Sequence, residues 1–552
     1  MKIIVIGSVA SGTSVAAKAR RNTETAQITI YDRDTHISYS GCGIPYYLGP
    51  DIETVEELTP RDAKWFKKRY NIDIHTQHEV MDIDVNQKQV TVKNLVTNEE
   101  FIDTYDKLVI ATGASPIVPP IAGADKQNVF SVRNIQNAQN IKRYLVTQRP
   151  QKAVIVGGGF IGLEVAEAFI KLGIEVTLID REQQVMPSMD KDVTAWLEKY
   201  MKEKGLELLF GETVISLEGA NHATKVVTAS GKEIETDIVI LSIGVRPNTQ
   251  IATKAGITLG ETRAIQVNTK METNIPDIYA VGDCAESFSL ITKKAIYRPL
   301  GSTANKMGRI AGDVMTGGTL EFRGILGTGI FKFFDMAVAQ TGLSEKEAKS
   351  LGYDIEVLYN IKPNKPAYME DSSEMVIKAI ADRKDGRVLG VQIVGKEGVD
   401  KRIDVFVTAM TFGAKAEDLF HLDLAYAPPF ATTKDPVMYT GMALDNAIQH
   451  NRKLITPSEL KERIDNGEEL LVIDARSPKD YEKSHVPNAI NIPLGSLREK
   501  GTEVNKDIPI VTYCNKGVTG NAAQNVLLNM GFKEVYNLSG GNKNYQMTFS
   551  KE

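Results

Sequence analysis

Two stretches of the chain repeat one pattern of apolar and small residues. A β-branched run at 2–6 stops at Gly7, a turn of small residues leads through Gly12 into a helical stretch reaching about Arg21, and a second apolar run at 27–31 ends on Asp32. Further along, residues 153–156 stop at Gly157, the turn passes Gly159 and Gly162, a helix runs through Leu172, and residues 175–179 end on Asp180. Short apolar runs closed by glycine and followed by a helical period predict two βαβ units, each with an acid at the end of its second strand. Other buried strands exit into tight turns: one into Ala111, Thr112 and Gly113, one into Gly244, and one into Gly282 and Asp283. From about 324 to 446 the pattern changes to alternating apolar stretches, as at 374–380 and 388–394, with helices between, which predicts an α+β interface domain. A polar hinge at 449–453 then leads to a compact α/β module starting near Thr456.

Composition narrows the class. The 552 residues, 42% of them hydrophobic, are enough for several cores. A formal charge of -5 gives no electrostatic case for nucleic acid, and the run Lys67-Lys68-Arg69 reads as a solvated helix face. No apolar run approaches the roughly 20 residues of a membrane span. The chain has three cysteines, an odd number, which argues against a disulfide framework and for a reducing, cytoplasmic setting. Cys42 and Cys514 each stand in a glycine-rich loop, where a thiol reads as a nucleophile, whereas Cys284 beside Asp283 reads as packing. No metal site is expected.

A glycine turn between strand and helix lets the backbone approach a pyrophosphate, and the helix start then offers free amides. The second turn has all three glycines, Gly157, Gly159 and Gly162, while the first keeps Gly7 and Gly12 around Val9. Asp32 and Asp180 follow at the distance from which an acid accepts a ribose hydroxyl. Two such turns, followed in order by 111–113 and Gly282-Asp283, resemble the two-dinucleotide flavoprotein disulfide reductases over about residues 1–446. The resemblance implies that Gly7, Val9, Gly12, Asp32, Ala111, Thr112, Gly113, Gly282 and Asp283 hold FAD. By the same resemblance Gly157, Gly159, Gly162, Asp180 and Gly244 hold NAD(P)H. Asp180 favours NADH, because a carboxylate repels a 2′-phosphate, while Arg181 beside it leaves NADPH open.

Cys42 has no cysteine within reach along the chain, so it cannot store two electrons in an internal disulfide. Its oxidised form must be a mixed disulfide, a persulfide or a sulfenic acid. The segment Ser38-Tyr-Ser-Gly-Cys42-Gly-Ile-Pro45-Tyr46 resembles the single-cysteine branch: coenzyme A disulfide reductases, NADH peroxidases and water-forming NADH oxidases. Peroxidases and oxidases of this group carry a histidine in the first glycine turn, where this chain has Ala10 and Ser11. The coenzyme A reductases carry two tyrosines from the neighbouring subunit, the second in an Ala-Tyr-Ala-Pro-Pro segment. This chain has Tyr426 in that sequence at 425–429 and Tyr368 at the position resembling the first. The resemblance also implies that Arg21, Ser38 and Lys434 hold coenzyme A. Gly41 departs from it, standing where the reductases often have asparagine.

The C-terminal module resembles a rhodanese domain through Asp474 and Arg476, His485, Asn491, a strand leading into Cys514, and the glycines at 540–541. A cysteine leaving a central strand into a tight loop is ringed by amides that stabilise a thiolate and then a persulfide. Asp474 and Arg476 read as braces for that loop and His485 as packing. Thr519 stands where active rhodaneses usually carry arginine, which leaves Lys516 as the loop's cation.

The expected architecture is α/β: two Rossmann-like dinucleotide-binding domains, an α+β dimerisation domain and a C-terminal α/β rhodanese domain. Its boundaries are 1–150 with 263–323 for FAD, 151–262 for NAD(P)H, 324–446 for dimerisation, 447–455 as linker and 456–552 for the rhodanese domain. The expected function is a homodimeric NAD(P)H-dependent reductase of coenzyme A persulfide, coenzyme A disulfide or polysulfide, acting through Cys42, with sulfane sulfur handled at Cys514. An NADH oxidase or peroxidase carrying a sulfurtransferase module, and a redox-sensing flavoprotein without turnover, are the alternatives.

Overall fold

The β-branched runs at 2–6 and 152–156 become the middle strands of two parallel five-stranded sheets. In the computed structural model, which describes residues 1–549, the chain divides into two compact units, Met1–Gln183 with Gly205–Ile325 and Gln184–Lys204 with the chain from Leu326 on. Residues 550–552, counted above in the rhodanese domain, lie outside the described residues.

In the first unit, one sheet runs in the order Ile278–Ala280, Lys107–Ile110, Lys2–Ile6, Gln27–Asp32, Asp73–Thr76. The other runs Leu206–Phe210, Glu175–Asp180, Lys152–Val156, Ile238–Leu241, Val129–Ser131. Both are parallel throughout. Ile3, Ile4 and Val5 are fully buried, each contributing about 1.5–3 kcal/mol of apolar transfer. In the first sheet the chain starts at a middle strand, steps outward and then returns to the other side; in the second it enters at the edge strand Val129–Ser131 and then makes the same move from Lys152–Val156. That reversal opens a crevice at the carboxyl ends of Lys2–Ile6 and Lys152–Val156, where the glycine turns stand. The helix Gly301–Val314 returns to pack on Ala10–Asn22. The approach is close because a Cβ at Gly308 would lie 2.5 Å from the Ser11 carbonyl oxygen, and one at Gly312 would lie 2.6 Å from that of Val15.

The second unit is built on an antiparallel sheet in the order Gly329–Phe333, Met336–Gly342, Val388–Gly395, Glu374–Asp382, Ile355–Pro363. Here one boundary differs from the sequence reading. The helix Lys191–Glu203, counted above in the second nucleotide-binding domain, belongs to this unit. The fully buried Lys378 reaches Asp192 at 3.0 Å, Asp190 at 3.1 Å and Glu345 at 2.7 Å. Gln392 donates to Asp190 at 2.7 Å. A buried ammonium held by three carboxylates ties the helix to the sheet, since removing any one partner would leave charge unmatched in the interior.

A parallel sheet follows in the order Leu454–Ile455, Val535–Leu538, Ile510–Tyr513, Leu471–Asp474, Ile490–Asn491. The expected linker is shorter than 447–455. The helix Pro436–Gln449 runs past 446, and Leu454–Ile455 is already the edge strand of this sheet. The joint is also fastened: the Tyr359 amide donates to Ser539 Oγ at 2.7 Å, and Glu374 pairs with both Lys516 and Lys543.

Candidate active sites

At the end of Lys2–Ile6 the chain turns under the strand exit at Ala111. Gly7 takes φ +107°, and a Cβ there would lie 2.2 Å from the Ala111 carbonyl oxygen. Gly157 repeats this at φ +107°, its Cβ position 2.5 Å from the Ser242 carbonyl oxygen. Each acid closes its own turn. Asp32 accepts the Ser8 amide at 2.7 Å and the Ser8 hydroxyl at 2.6 Å through one oxygen, and the Asp34 amide at 2.8 Å through the other. Asp180 accepts the Gly158 amide at 2.7 Å and that of Glu182 at 2.9 Å. Each carboxylate keeps lone pairs for a ribose hydroxyl. Nothing stands within 4 Å of the Cβ position at Gly159, so the second turn has an open mouth where a pyrophosphate can approach.

The other predicted FAD residues gather at the same end of the first sheet. Thr112 donates to the Asn248 carbonyl at 2.7 Å, and the Asn248 side chain donates back to the Thr112 carbonyl at 2.8 Å. This clamps the exit at 111–113 against the exit after Gly244, where Ala114–Pro116 pairs antiparallel with Val245–Pro247. Asp283 stands in the turn Gly282–Cys284 with its carboxylate 3.0 Å from Arg133 Nη2, and the Tyr297 hydroxyl donates to its carbonyl at 2.9 Å. Cys284 is fully buried and donates to the carbonyls of Val281 at 3.3 Å and Ile110 at 3.4 Å. That is a packing position, and burial pushes its thiol up.

Ser38 carries the cysteine segment onto the first glycine turn. It takes φ +49°, and its amide donates to the Ser8 carbonyl at 3.0 Å. Cys42 follows in the one-turn Gly41–Gly43, which runs into Ile44–Leu48, and its thiol is exposed. Lys142 closes the far end of that segment by donating to the carbonyls of Tyr47 at 2.8 Å and Gly49 at 3.0 Å. Desolvation by the surrounding protein pushes the Cys42 thiol up; Glu164 and Asp283 add to the rise, and Arg133 opposes it. Glu164 comes from Phe160–Lys171, the helix that leaves the second glycine turn, and Tyr46 donates to it at 3.3 Å. Burial pushes the Glu164 carboxyl up to about 7, against the Tyr46 bond and with help from Glu167.

Arg133, Glu164 and Tyr46 escaped the sequence reading, although Tyr46 closes the Cys42 motif and Glu164 is two residues beyond Gly162. The raised Glu164 value has a definite sign: the fold favours the neutral acid, so its contribution to stability is present at low pH and is lost as pH rises through about 7. Above that pH its charge also holds the Cys42 thiol up. Glu164→Gln is therefore expected to lower the pH at which Cys42 is half alkylated by iodoacetamide, read on the Cys42 peptide by mass spectrometry. It should also flatten the loss of thermal stability as pH rises from about 4.5, the ordinary glutamate value, to about 7. Unchanged profiles would remove Glu164 from the thiol's surroundings.

Of the residues expected to hold coenzyme A, Arg21 and Ser38 belong to the first unit. The Arg21 guanidinium donates to the Tyr70 hydroxyl at 3.2 Å and lies over that ring. Tyr368, Tyr426, Lys434 and Cys514 belong to the second unit. Tyr368 is 74% exposed and Tyr426 48% exposed. Tyr426 lines a cavity of about 620 Å³ with Asn364, Lys401, Arg402, Ala425 and Phe430. The buried Arg402 shapes its wall by pairing with Asp435 at 2.9 Å and donating to the Asn364 carbonyl at 3.0 Å.

Cys514 follows directly on the strand Ile510–Tyr513 and is buried, with the Gly517 amide donating to its sulfur at 3.2 Å. The loop is held from below by the amides of Asn542 and Lys543, which donate to the carbonyls of Cys514 at 2.8 Å and Asn515 at 3.0 Å. Asp474 and Arg476 act as braces: Arg476 pairs with Asp474 at 2.6 Å, donates to the Ser484 carbonyl at 2.6 Å and lies over the Tyr513 ring. His485 is exposed and stacks on Tyr481 at 4.2 Å.

These features have counterparts in known proteins. A family model described as pyridine nucleotide-disulphide oxidoreductase matches residues 1–298, one for the dimerisation domain of that group matches 328–436, and one for a rhodanese-like domain matches 456–548. A Pyrococcus abyssi protein named NAD(P)H sulfur oxidoreductase (CoA-dependent) is 38% identical over 443 residues, which cover 80% of this chain and 98% of that one. Among solved structures, reduced Bacillus anthracis CoADR-RHD matches with a TM-score of 0.96 at 38% identity, covering 99% of this chain and 98% of that one. An NAD-dependent persulfide reductase from A. fulgidus matches with a TM-score of 0.91 at 36% identity, covering 99% and 100%.

Proposed function

The chain belongs to the pyridine nucleotide-disulphide oxidoreductase family and carries a rhodanese-like domain, and from that premise we propose that it reduces coenzyme A persulfide, coenzyme A disulfide or a related polysulfide with NAD(P)H. The observation that carries the reading is the chemistry of Cys42. Its thiol is exposed, and the other cysteine of its unit, Cys284, is sealed in the core. A thiol without a partner takes its oxidising sulfur from outside.

The first glycine turn, Asp32, the exit at 111–113 and Asp283 with Arg133 fit FAD, and the second turn with Asp180 and Gly244 fits NAD(P)H, with NADH favoured. FAD would pass two electrons from the nicotinamide to the sulfur bound at Cys42. The chain's own part begins with the Cys42 thiolate attacking one sulfur of the substrate S–S bond. A new bond to Cys42 forms, the old S–S bond breaks, and coenzyme A thiolate or hydrosulfide leaves with the bonding pair. Arg133 supports the thiolate, and Glu164, neutral below about pH 7, can hold a proton beside it. In the homodimer that we infer from the dimerisation domain, the exposed Tyr426 and Tyr368 serve the thiol of the other protomer, with Tyr426 protonating the leaving group. Arg21, Ser38 and Lys434 hold coenzyme A. Cys514 carries sulfane sulfur. Among the described residues no helix is long and apolar enough to cross a membrane, and three unpaired cysteines suit a cytoplasmic enzyme.

Enzyme reduced anaerobically with NADH and mixed with coenzyme A persulfide, hydrogen peroxide or oxygen tests the reading. Reoxidation is expected to be fastest with the persulfide. Faster reoxidation by peroxide or oxygen would make the protein a peroxidase or oxidase instead.

A further inference from the structure

A sulfur donor arriving at Cys514 is an anion, yet the loop has little positive charge to offer it. Residues 514–520 contain one cation, Lys516, and its ammonium is paired with Glu374, which Lys543 also holds. The unused charge stands on the antiparallel sheet beside the loop. Lys362 is near the end of Ile355–Pro363, opposite Met375, and the next residue, Pro363, pairs with Glu374. Side chains alternate along the strand, so Lys362 faces away from Glu374, but this same edge strand docks beside the Cys514 loop: the Tyr359 amide donates to Ser539 Oγ at 2.7 Å, and three residues on the Asn542 amide donates to the Cys514 carbonyl at 2.8 Å.

The surroundings of Lys362 are those of a cation without a counterion. Its Nζ lies 3.8 Å from the centre of the Tyr439 ring, and the Lys434 ammonium lies 5.9 Å from the same ring. Neither lysine has a carboxylate partner among the described residues. Lys362 is half-buried, and its pKa is pushed down by burial and by the like charges of Lys516 and Lys434, whereas the Cys514 thiolate opposes that shift. Two neighbouring ammonium groups, one partly desolvated, are unfavourable until an anion joins them. An aromatic face partly offsets this by attracting cations, which keeps both side chains in place.

We propose that Lys362, with Lys434 beside it on Tyr439, is the anion-binding group of the Cys514 site and holds the charged end of the sulfur donor. The proposal rests on Cys514 being the carrier of sulfane sulfur. With thiosulfate as donor, the Cys514 thiolate attacks the outer sulfur and a new S–S bond forms. The bond to the sulfonate sulfur breaks, and sulfite leaves with the bonding pair. A thiolate and a dianion give a persulfide anion and a dianion, so the step needs no oxidant or reductant. In this assignment Lys362 meets the charge that gathers on the departing sulfite. Because the ammonium comes from the dimerisation sheet rather than from the loop, the transfer site is complete only with both domains in place.

The test uses the full-length protein with thiosulfate as donor and cyanide as acceptor, read as thiocyanate. Alongside it, the rates at which anionic iodoacetate and neutral iodoacetamide alkylate Cys514 are compared by peptide mass spectrometry. Lys362→Gln is expected to raise the KM for thiosulfate roughly tenfold, the scale of one charge-assisted contact. It should lower the iodoacetate to iodoacetamide ratio by a similar factor while leaving the iodoacetamide rate nearly unchanged. Lys362→Arg should restore most of both, and Lys434→Gln should move both in the same direction by less. An unchanged KM and ratio in Lys362→Gln would overturn the proposal, as would equal slowing of both reagents, which marks a packing role. If the wild-type protein forms no thiocyanate, the carrier reading of Cys514 fails, and the alkylation ratio then upholds or overturns the anion site by itself.

Discussion

Cys42→Ser is expected to lower NADH-driven reduction of coenzyme A persulfide and coenzyme A disulfide by about three orders of magnitude or more, the scale on which loss of a nucleophile acts. The geometry explains why the loss should be confined to chemistry. The segment is fastened through the Ser38 amide on Ser8 and through Lys142 on the carbonyls of Tyr47 and Gly49, none of which involves the thiol. A serine hydroxyl fills nearly the same space but is not ionised near neutral pH, so it cannot attack sulfur. Flavin content, measured by absorbance after purification, should therefore match the wild type. Substantial turnover by the variant would show that electrons reach the substrate without Cys42. The mass of the isolated wild-type protein gives a second reading: an adduct the size of coenzyme A on the Cys42 peptide would identify the leaving group.

What could be read in advance divides by distance along the chain. Gly7, Gly12, Asp32 and the second set at 157–180 belong to short local patterns, and the same strands and turns fold around them. Cys42 was legible because its neighbours form a motif. Arg133, by contrast, meets Asp283 from 150 residues away, and nothing near either residue announces the pair. Glu164 lies in a helix whose pattern is explained by packing alone, and only the fold brings it to Tyr46. The helix Lys191–Glu203 reads as a continuation of the second nucleotide-binding domain, since the buried Lys378 that claims Asp192 is 186 residues further on. The strand Leu454–Ile455 has two residues, too few to show a period, and so the linker looked longer than it is. Lys362 is one of many lysines in sequence, and its meaning comes from the Tyr439 ring it lies over and from the edge strand that carries it to the Cys514 loop.

Cys514→Ser is expected to abolish sulfur transfer from thiosulfate or polysulfide to cyanide while leaving reduction of supplied coenzyme A disulfide within about twofold of wild type. The loop should survive the change, because the amides of Asn542 and Lys543 hold its carbonyls and Arg476 with Asp474 braces the strand end. What disappears is the sulfur that the Gly517 amide faces and that would carry the persulfide. The pairing of substrates separates the two thiols. With coenzyme A disulfide, only Cys42 is required, and Cys514→Ser should turn over normally. With a donor that must first load sulfur at Cys514, the same variant should stall, and adding ready-made coenzyme A persulfide should restore NADH consumption. Equal loss with every substrate would mean that Cys514 supports the fold or the reductase itself, and that sulfur does not pass through the second domain. Loss confined to the donors, with rescue by the persulfide, would put Cys514 upstream of Cys42 and fix the direction of sulfur flow between them.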